Sequence, residues 1–399
     1  MDKFAKKFSK SLKGIGYFAV LIGFLGMIVI AIALSFSTFN VLTKPGAPAG
    51  AGLVLPVKAK GVFYVPFEYW IISIFVIAVF HEFAHGIIAR KYKMRLKSSG
   101  FAFVDISLKL LGILIIFFSI LNKAKGNILN LFITFDFLNT SSPDFWITIG
   151  IILIIIPLFK KIKLPIIPAA FVEPDEKELK KRPPKQQLSV FAAGPFANIL
   201  LAFIILGITT LIFIPLLNSM VRPDGVLVTG VMEGKSYPAE QAGITANEVI
   251  TGIDGIKVKE VDDFSGILET KKPGDIIRLE TNRSTYDITL AEDPENESKA
   301  YLGIYILEKT KIKESFVERY GRFTPPVIIW FIGLFYWLHV LNLGIGLFNL
   351  APIGPLDGGR MLLVALQQFL KKDKAVKYWK TISIFFLALI LINILFAFF

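Results

Sequence analysis

Apolar residues fall in long uninterrupted runs through most of the chain and in short alternating runs in one stretch only. Residues 14–36 are uncharged and follow five lysines. About 20 apolar residues suffice to cross a bilayer as a helix. The run therefore predicts a retained span rather than a cleaved leader, whose apolar region is shorter. Comparable runs predict spans at 69–89, 189–217, 324–348 and 380–399. Two weaker apolar blocks, 101–121 and 145–159, read as an inserted helical hairpin, with Asp105 as a helix-end carboxylate. The expected fold is an α-helical polytopic membrane protein with about seven spans, or five plus the hairpin insert.

Residues 224–309 follow a different rule. Segments such as GVLVTGVM, EVITGIDGIKV, DIIRLETN and TYDITL alternate apolar and polar positions. That period of two predicts β-strands, with turns at Asp254-Gly255 and Pro273-Gly274. The chain thus divides into an N-terminal membrane region (1–217, with the hairpin insert at 101–160), a β-rich domain (224–309) and a C-terminal membrane region (324–399).

Composition agrees with a membrane protein. Apolar residues make up 54% of the 399 and charged residues only 19%, against about a quarter charged in soluble domains. This excludes a disordered chain and argues against a nucleic-acid binder. No cysteine is present, so a thiolate ligand, a cysteine nucleophile and disulfides are all excluded. The net charge of +13 is unevenly shared, because residues 218–323 carry 14 basic and 19 acidic side chains. With the expected spans alternating, one face of the membrane collects 24 Lys/Arg in its loops and the short loops of the other only 5, the long block 218–323 being set aside because large domains cross regardless of charge. Basic loops mark the cytoplasmic face. The expected topology is a multi-pass cell-membrane protein with a cytoplasmic N-terminus and the β-rich domain outside.

One string inside the second span carries chemistry: His81-Glu82-Phe83-Ala84-His85. Residues i and i+4 share a helix face, so both imidazoles can meet one ion, and the adjacent carboxylate can take a proton from water. Ionisable groups in an apolar helix are costly and default to function. A catalytic zinc needs a third protein ligand and keeps a fourth position open. The best candidate is Asp357, in Asn349-Leu-Ala-Pro-Ile-Gly-Pro-Leu-Asp357-Gly-Gly, where prolines and glycines break a helix at membrane depth. Such a break is tolerated only where backbone is buried or lines a cavity. His339, the remaining histidine, reads as a packed helix residue.

HEFAH, AAGPFAN (192–198) and NLAPIGPLDGG, in that order, together resemble the site-2 proteases, which are zinc-dependent intramembrane metalloproteases. The resemblance implies Zn²⁺ held by His81, His85 and Asp357, and Glu82 as catalytic base. It makes Asn198 and Asn349 candidates for a substrate or oxyanion contact. It also implies cleavage of transmembrane protein substrates near the cytoplasmic side of the lipid bilayer. About 60 residues around the apolar hairpin intervene where the family's segment is usually short. Tyr237–Gly243 and Ile250–Val258 resemble a bacterial-type PDZ domain, implying capture of peptide ends or a steric gate. The alternative from a different class is a non-catalytic membrane scaffold with a structural metal site, in which the PDZ-like module recruits partners. A transporter is disfavoured by the lack of an internal repeat.

Overall fold

The computed structural model describes residues 1–44, 46–58, 60–107, 163–232, 237–294 and 296–398, with single positions at 113, 116, 148 and 151. Two compact units emerge, Met1–Thr209 with Ile332–Phe399, and Thr210–Phe331.

The first unit opens with a short helix α1 (Asp2–Lys7) and the long α2 (Ser9–Thr43). Strands β1 (Leu53–Leu55) and β2 (Val62–Tyr64) pair in parallel before α3 (Phe67–Lys91). Strands β3 (Leu96–Ser107) and β4 (Lys163–Pro174) pair antiparallel, Gly100 opposite Phe171. Then come α4 (Glu176–Lys180) and α5 (Pro184–Ile208). Asp175 caps α4, its Oδ1 accepting from the backbone N–H groups of Lys177 and Glu178, two of the donors a helix start leaves unpaired.

The second unit begins within a π-helical turn (Thr209–Phe213), followed by α6 (Ile214–Met220) and β5 (Val221–Val231). It continues through α7 (Pro238–Gln241), β6 (Val249–Ile253), β7 (Ile256–Lys257) and α8 (Val261–Glu269). Strands β8 (Ile276–Thr281), β9 (Thr285–Thr289), β10 (Ala291–Asp293), β11 (Asn296–Tyr301) and β12 (Ile304–Ile312) follow, then α9 (Glu314–Tyr320). The chain ends with α10 (Thr324–Asn349), α11 (Asp357–Phe369) and α12 (Lys372–Phe398).

Five helices among the described residues are long and apolar enough to cross a membrane: Ser9–Thr43, Phe67–Lys91, Pro184–Met220, Thr324–Asn349 and Lys372–Phe398. They coincide with the five strong apolar runs. The chain is therefore a polytopic helical membrane protein, but a count of seven spans is not reached. Most of the expected helical hairpin lies outside the described residues. Its first residues, 101–107, are strand rather than helix, and Asp105 lies opposite Pro165 in the β3–β4 ladder. Short apolar runs carry no periodicity that separates a buried strand from a helix, and here pairing with 163–174 decides for the strand.

Helix α5 is the hub of the membrane unit. Its buried Val190 and Ala193 pack with Ile87, Ile88 and Ala89 of α3 and with Leu12 of α2. On a neighbouring face Ala192 meets Ala19 and Met27 of α2 and Met361 of α11. Helices in lipid lack a hydrophobic drive to associate, so small residues that allow close backbone approach hold them together. The outward stripe of α2, including Leu21, Leu25, Ile28, Ile32 and Phe36, stays at least half exposed, as a lipid-facing surface requires. First and last spans are tied by polar contacts: Asn393 Nδ2 donates to Thr38 Oγ1 (2.7 Å) and Ser37 Oγ donates to Asn393 Oδ1 (2.6 Å).

The second unit is built on a sheet in the order β12-β5-β6-β8-β9, with β7 folded back on β6, every pairing antiparallel. Alternate residues Ile277 and Leu279, and Val226 and Val228, form its core with Ile250 and Ile253, which flank a register shift in β6, and Phe264 of α8 closes it. The β6–β7 hairpin turns at Asp254 (φ 52°) and Gly255 (φ 77°), the paired left-handed conformations that a two-residue turn of this hand demands.

Candidate metal centre

Helix α3 carries His81 and His85 one turn apart, and their Nε2 atoms lie 3.1 Å from each other. Asp357 reaches the same point from the start of α11, its Oδ2 being 3.1 Å from His81 Nε2 and 3.3 Å from His85 Nε2. These three side chains can offer ligand atoms within 4.8 Å of one another, the grouping expected of a metal site. The triangle fits the proposed ion. Zinc bonds of about 2.0–2.1 Å in a tetrahedron separate ligand atoms by about 3.3 Å. Two nitrogens and a carboxylate oxygen are the donor set of a hydrolytic site with one position open. His85 Nδ1 hydrogen-bonds the Val190 carbonyl at 2.6 Å, so its proton sits there and Nε2 is left to bind.

Local folding explains how a residue 272 positions from His85 arrives. After α10 the chain turns through Leu350–Leu356, with Ile353 N donating to Ala351 O (2.7 Å) and Leu356 N to Ile353 O (2.9 Å). Gly358 and Gly359 lie against the carbonyls of Leu350 and Ile353, where a Cβ would collide with backbone. Trp379 of α12 donates its indole N–H to Gly359 O at 2.9 Å. The turn is thereby packed onto the helix it starts, and Asp357 is aimed by backbone rather than by its own rotamer alone.

Glu82 hydrogen-bonds through Oε2 to the backbone N–H of Val172 in β4 (2.9 Å). It borders two cavities. One, of about 360 Å³, also touches His81, His85, Asn349 and Asp357. The other, of about 860 Å³, is walled by Met1, Phe83, Arg90, Arg95 and Val172. Asn349 thus faces the cavity at the histidines. Asn198 is fully buried, its amide 3.1 Å from His81 Nδ1, on the far side of the ring from Asp357. His339 is a packed helix residue, with Nδ1 2.9 Å from Ala202 O.

Three contributors had no signal readable as chemistry. The Val190 carbonyl and the Val172 N–H are backbone groups, so residue type says nothing about them. Gly194 lies within the AAGPFAN string and lets α5 touch the pair, since a Cβ there would lie 2.7 Å from His81 Nε2 and would overlap His85.

Three side chains able to hold a metal ion lie beside a carboxylate, and the two histidines and that carboxylate stand on a helix long and apolar enough to cross a membrane. Residues 147–392 match peptidase family M50. This span holds Asn198, Asn349 and Asp357, while HEFAH precedes it. The chain belongs to that family, and is a zinc metalloprotease of the membrane. A Clostridium perfringens protein whose name places it among zinc metalloproteases is 27% identical over 248 residues, 52% of this chain and 71% of that protein. The zinc metalloprotease RasP of Shouchella clausii is 24% identical over 241 residues, 50% of this chain and 55% of its own length. Among solved structures, the PDZ domain of an SdrC-like protein from Listeria monocytogenes is 28% identical, covering 21% of this chain and 88% of that one, with a TM-score of 0.19.

Proposed function

We propose that the chain is an intramembrane endopeptidase that cuts the transmembrane helices of membrane proteins near the cytoplasmic face. The observation that carries this reading is the convergence of His81, His85 and Asp357 at 3.1–3.3 Å beside Glu82. Those three residues would hold Zn²⁺, which when bound polarises a carbonyl and makes a coordinated water more acidic. Glu82 takes the proton of the attacking water on its carboxylate. The Val172 N–H holds Oε2 of that carboxylate in place meanwhile. As the C–N bond of the tetrahedral adduct breaks, Glu82 passes the proton to the leaving amine, and a new carboxylate and amine result. Asn349, on the cavity wall, is placed to meet the substrate backbone.

The substrate must come as locally unwound chain, because helical carbonyls are already hydrogen-bonded. The larger cavity beside Glu82 provides its approach. Orientation follows from the Lys/Arg bias of the short loops, 24 against 5 with the β-rich unit set aside: N-terminus cytoplasmic, β-rich unit outside. That outer unit, the PDZ-like domain, would select substrates by peptide end or by bulk.

The test is a tagged single-span reporter reconstituted with purified protein. Wild type is expected to release a fragment on the cytoplasmic side, and Glu82→Gln to lose at least 100-fold in rate while keeping its zinc. Equal processing by both overturns the proposal.

A further inference from the structure

His85 and His81 are held differently at their outer nitrogens. His85 Nδ1 meets a backbone carbonyl, which can only accept, so the ring must present Nε2 to the cavity. His81 Nδ1 meets the side-chain amide of Asn198 at 3.1 Å, with Nδ2 as the facing atom. An amide nitrogen donates, so in that sense His81 Nδ1 accepts and its proton falls on Nε2, the atom pointing at Asp357 and His85. A ring so protonated cannot be a ligand.

The amide itself resolves the conflict. Asn198 is completely buried, and its Oδ1 has no hydrogen-bond partner. Among the described residues His81 alone holds the amide in this sense. A half-turn about Cβ–Cγ exchanges its near-isosteric ends and brings Oδ1 to His81 Nδ1. The ring proton then moves to Nδ1, and Nε2 is left to bind, as in His85. Outer partners of this kind fix the tautomer and orientation of ligating histidines.

We propose that Asn198 is a positioning residue for the metal centre, accepting a hydrogen bond from His81 Nδ1–H through Oδ1 and thereby setting Nε2 as the binding atom. Complete burial behind the ring suits this task better than contact with substrate. The proposal rests on the metal-centre reading above.

The experiment is competition of zinc against a chelator in the purified full-length chain, for wild type, Asn198→Asp and Asn198→Leu. Asp keeps an acceptor in the same place and Leu keeps the volume alone. Leu is expected to weaken zinc 10–100-fold, with Asp within about threefold of wild type by the same reasoning. With three histidines in the chain, ¹⁵N-histidine spectra resolve His81, and its proton should sit on Nδ1 in zinc-loaded wild type and Asp. Zinc held equally by wild type and Leu, or lost equally by Asp and Leu, overturns the assignment but leaves the metal centre standing. If Leu fails to fold, a wild-type spectrum lacking the Nδ1 proton overturns it instead. Wild type without zinc overturns the metal-centre reading itself.

Discussion

Glu248 is buried and Asp357 is 12% exposed, and the surroundings of these two carboxylates have opposite character. Glu248, in the β-rich unit, is 1% exposed and surrounded by donors. Thr245 gives its backbone N–H and its hydroxyl (both 2.9 Å), and Thr281 and Tyr286 each give a hydroxyl (3.0 Å). Arg283 stands 3.8 Å away. Asp357, in the membrane unit, instead faces two imidazole nitrogens directed at the same point as its own oxygen. The first carboxylate is complete within the protein and ties strands together. The second is left facing two nitrogens, which the proposed ion would join to it. Burial alone therefore does not mark a functional acid; what marks it is whether the protein itself satisfies the charge.

The sharpest way to break this contrast is Asp357→Ala. It should abolish zinc binding and cleavage together while leaving the melting of the β-rich unit untouched, followed by metal analysis, the reporter assay and calorimetry. Zinc and activity retained would remove Asp357 from the centre. Next in size is Gly194→Ala, whose methyl would press on both imidazoles. Displacing ligands in this way should weaken zinc about 10–100-fold, the range seen when support around a site is lost, as measured by chelator competition.

The smallest effect belongs to Glu248. Burial pushes its carboxyl upward, but the bonds from Thr245, Thr281 and Tyr286 outweigh it and hold the group below the ordinary carboxylate range. Its contribution is therefore fully present above the unfolded-state value of about 4.3. It is lost as pH falls through the lower folded-state value. Glu248→Gln should cost about 1–3 kcal/mol at neutral pH, and the gap between variant and wild type should narrow on acidification. A pH-independent gap in urea melts would show that the ionised form is not what the pocket stabilises.

Legibility in the sequence tracked the distance over which each feature is decided. HEFAH was readable because i and i+4 share a helix face whatever the rest of the chain does. The Asp254-Gly255 turn was readable because its backbone conformation selects those residues. The start of the 101–121 block was misread because FAFVDIS carries no helical or strand period strong enough to decide, and its partner strand begins 56 residues later at Lys163. The Val172 N–H on Glu82 and the Val190 carbonyl on His85 left no trace at all, since every non-proline residue carries the same backbone groups.

The sequence by itself determined the five long apolar helices, the alternating strands of the β-rich unit, and the presence of one helix turn able to offer two imidazoles and a carboxylate. Hydrophobic run length and local periodicity set these, and both act within a few turns of chain. Only the tertiary structure decided that Asp357 meets His81 and His85, that Gly194 brings α5 against them, and that Asn198 stands behind His81. Those relations depend on close packing between helices far apart in the chain, where one methyl group more or less moves a side chain.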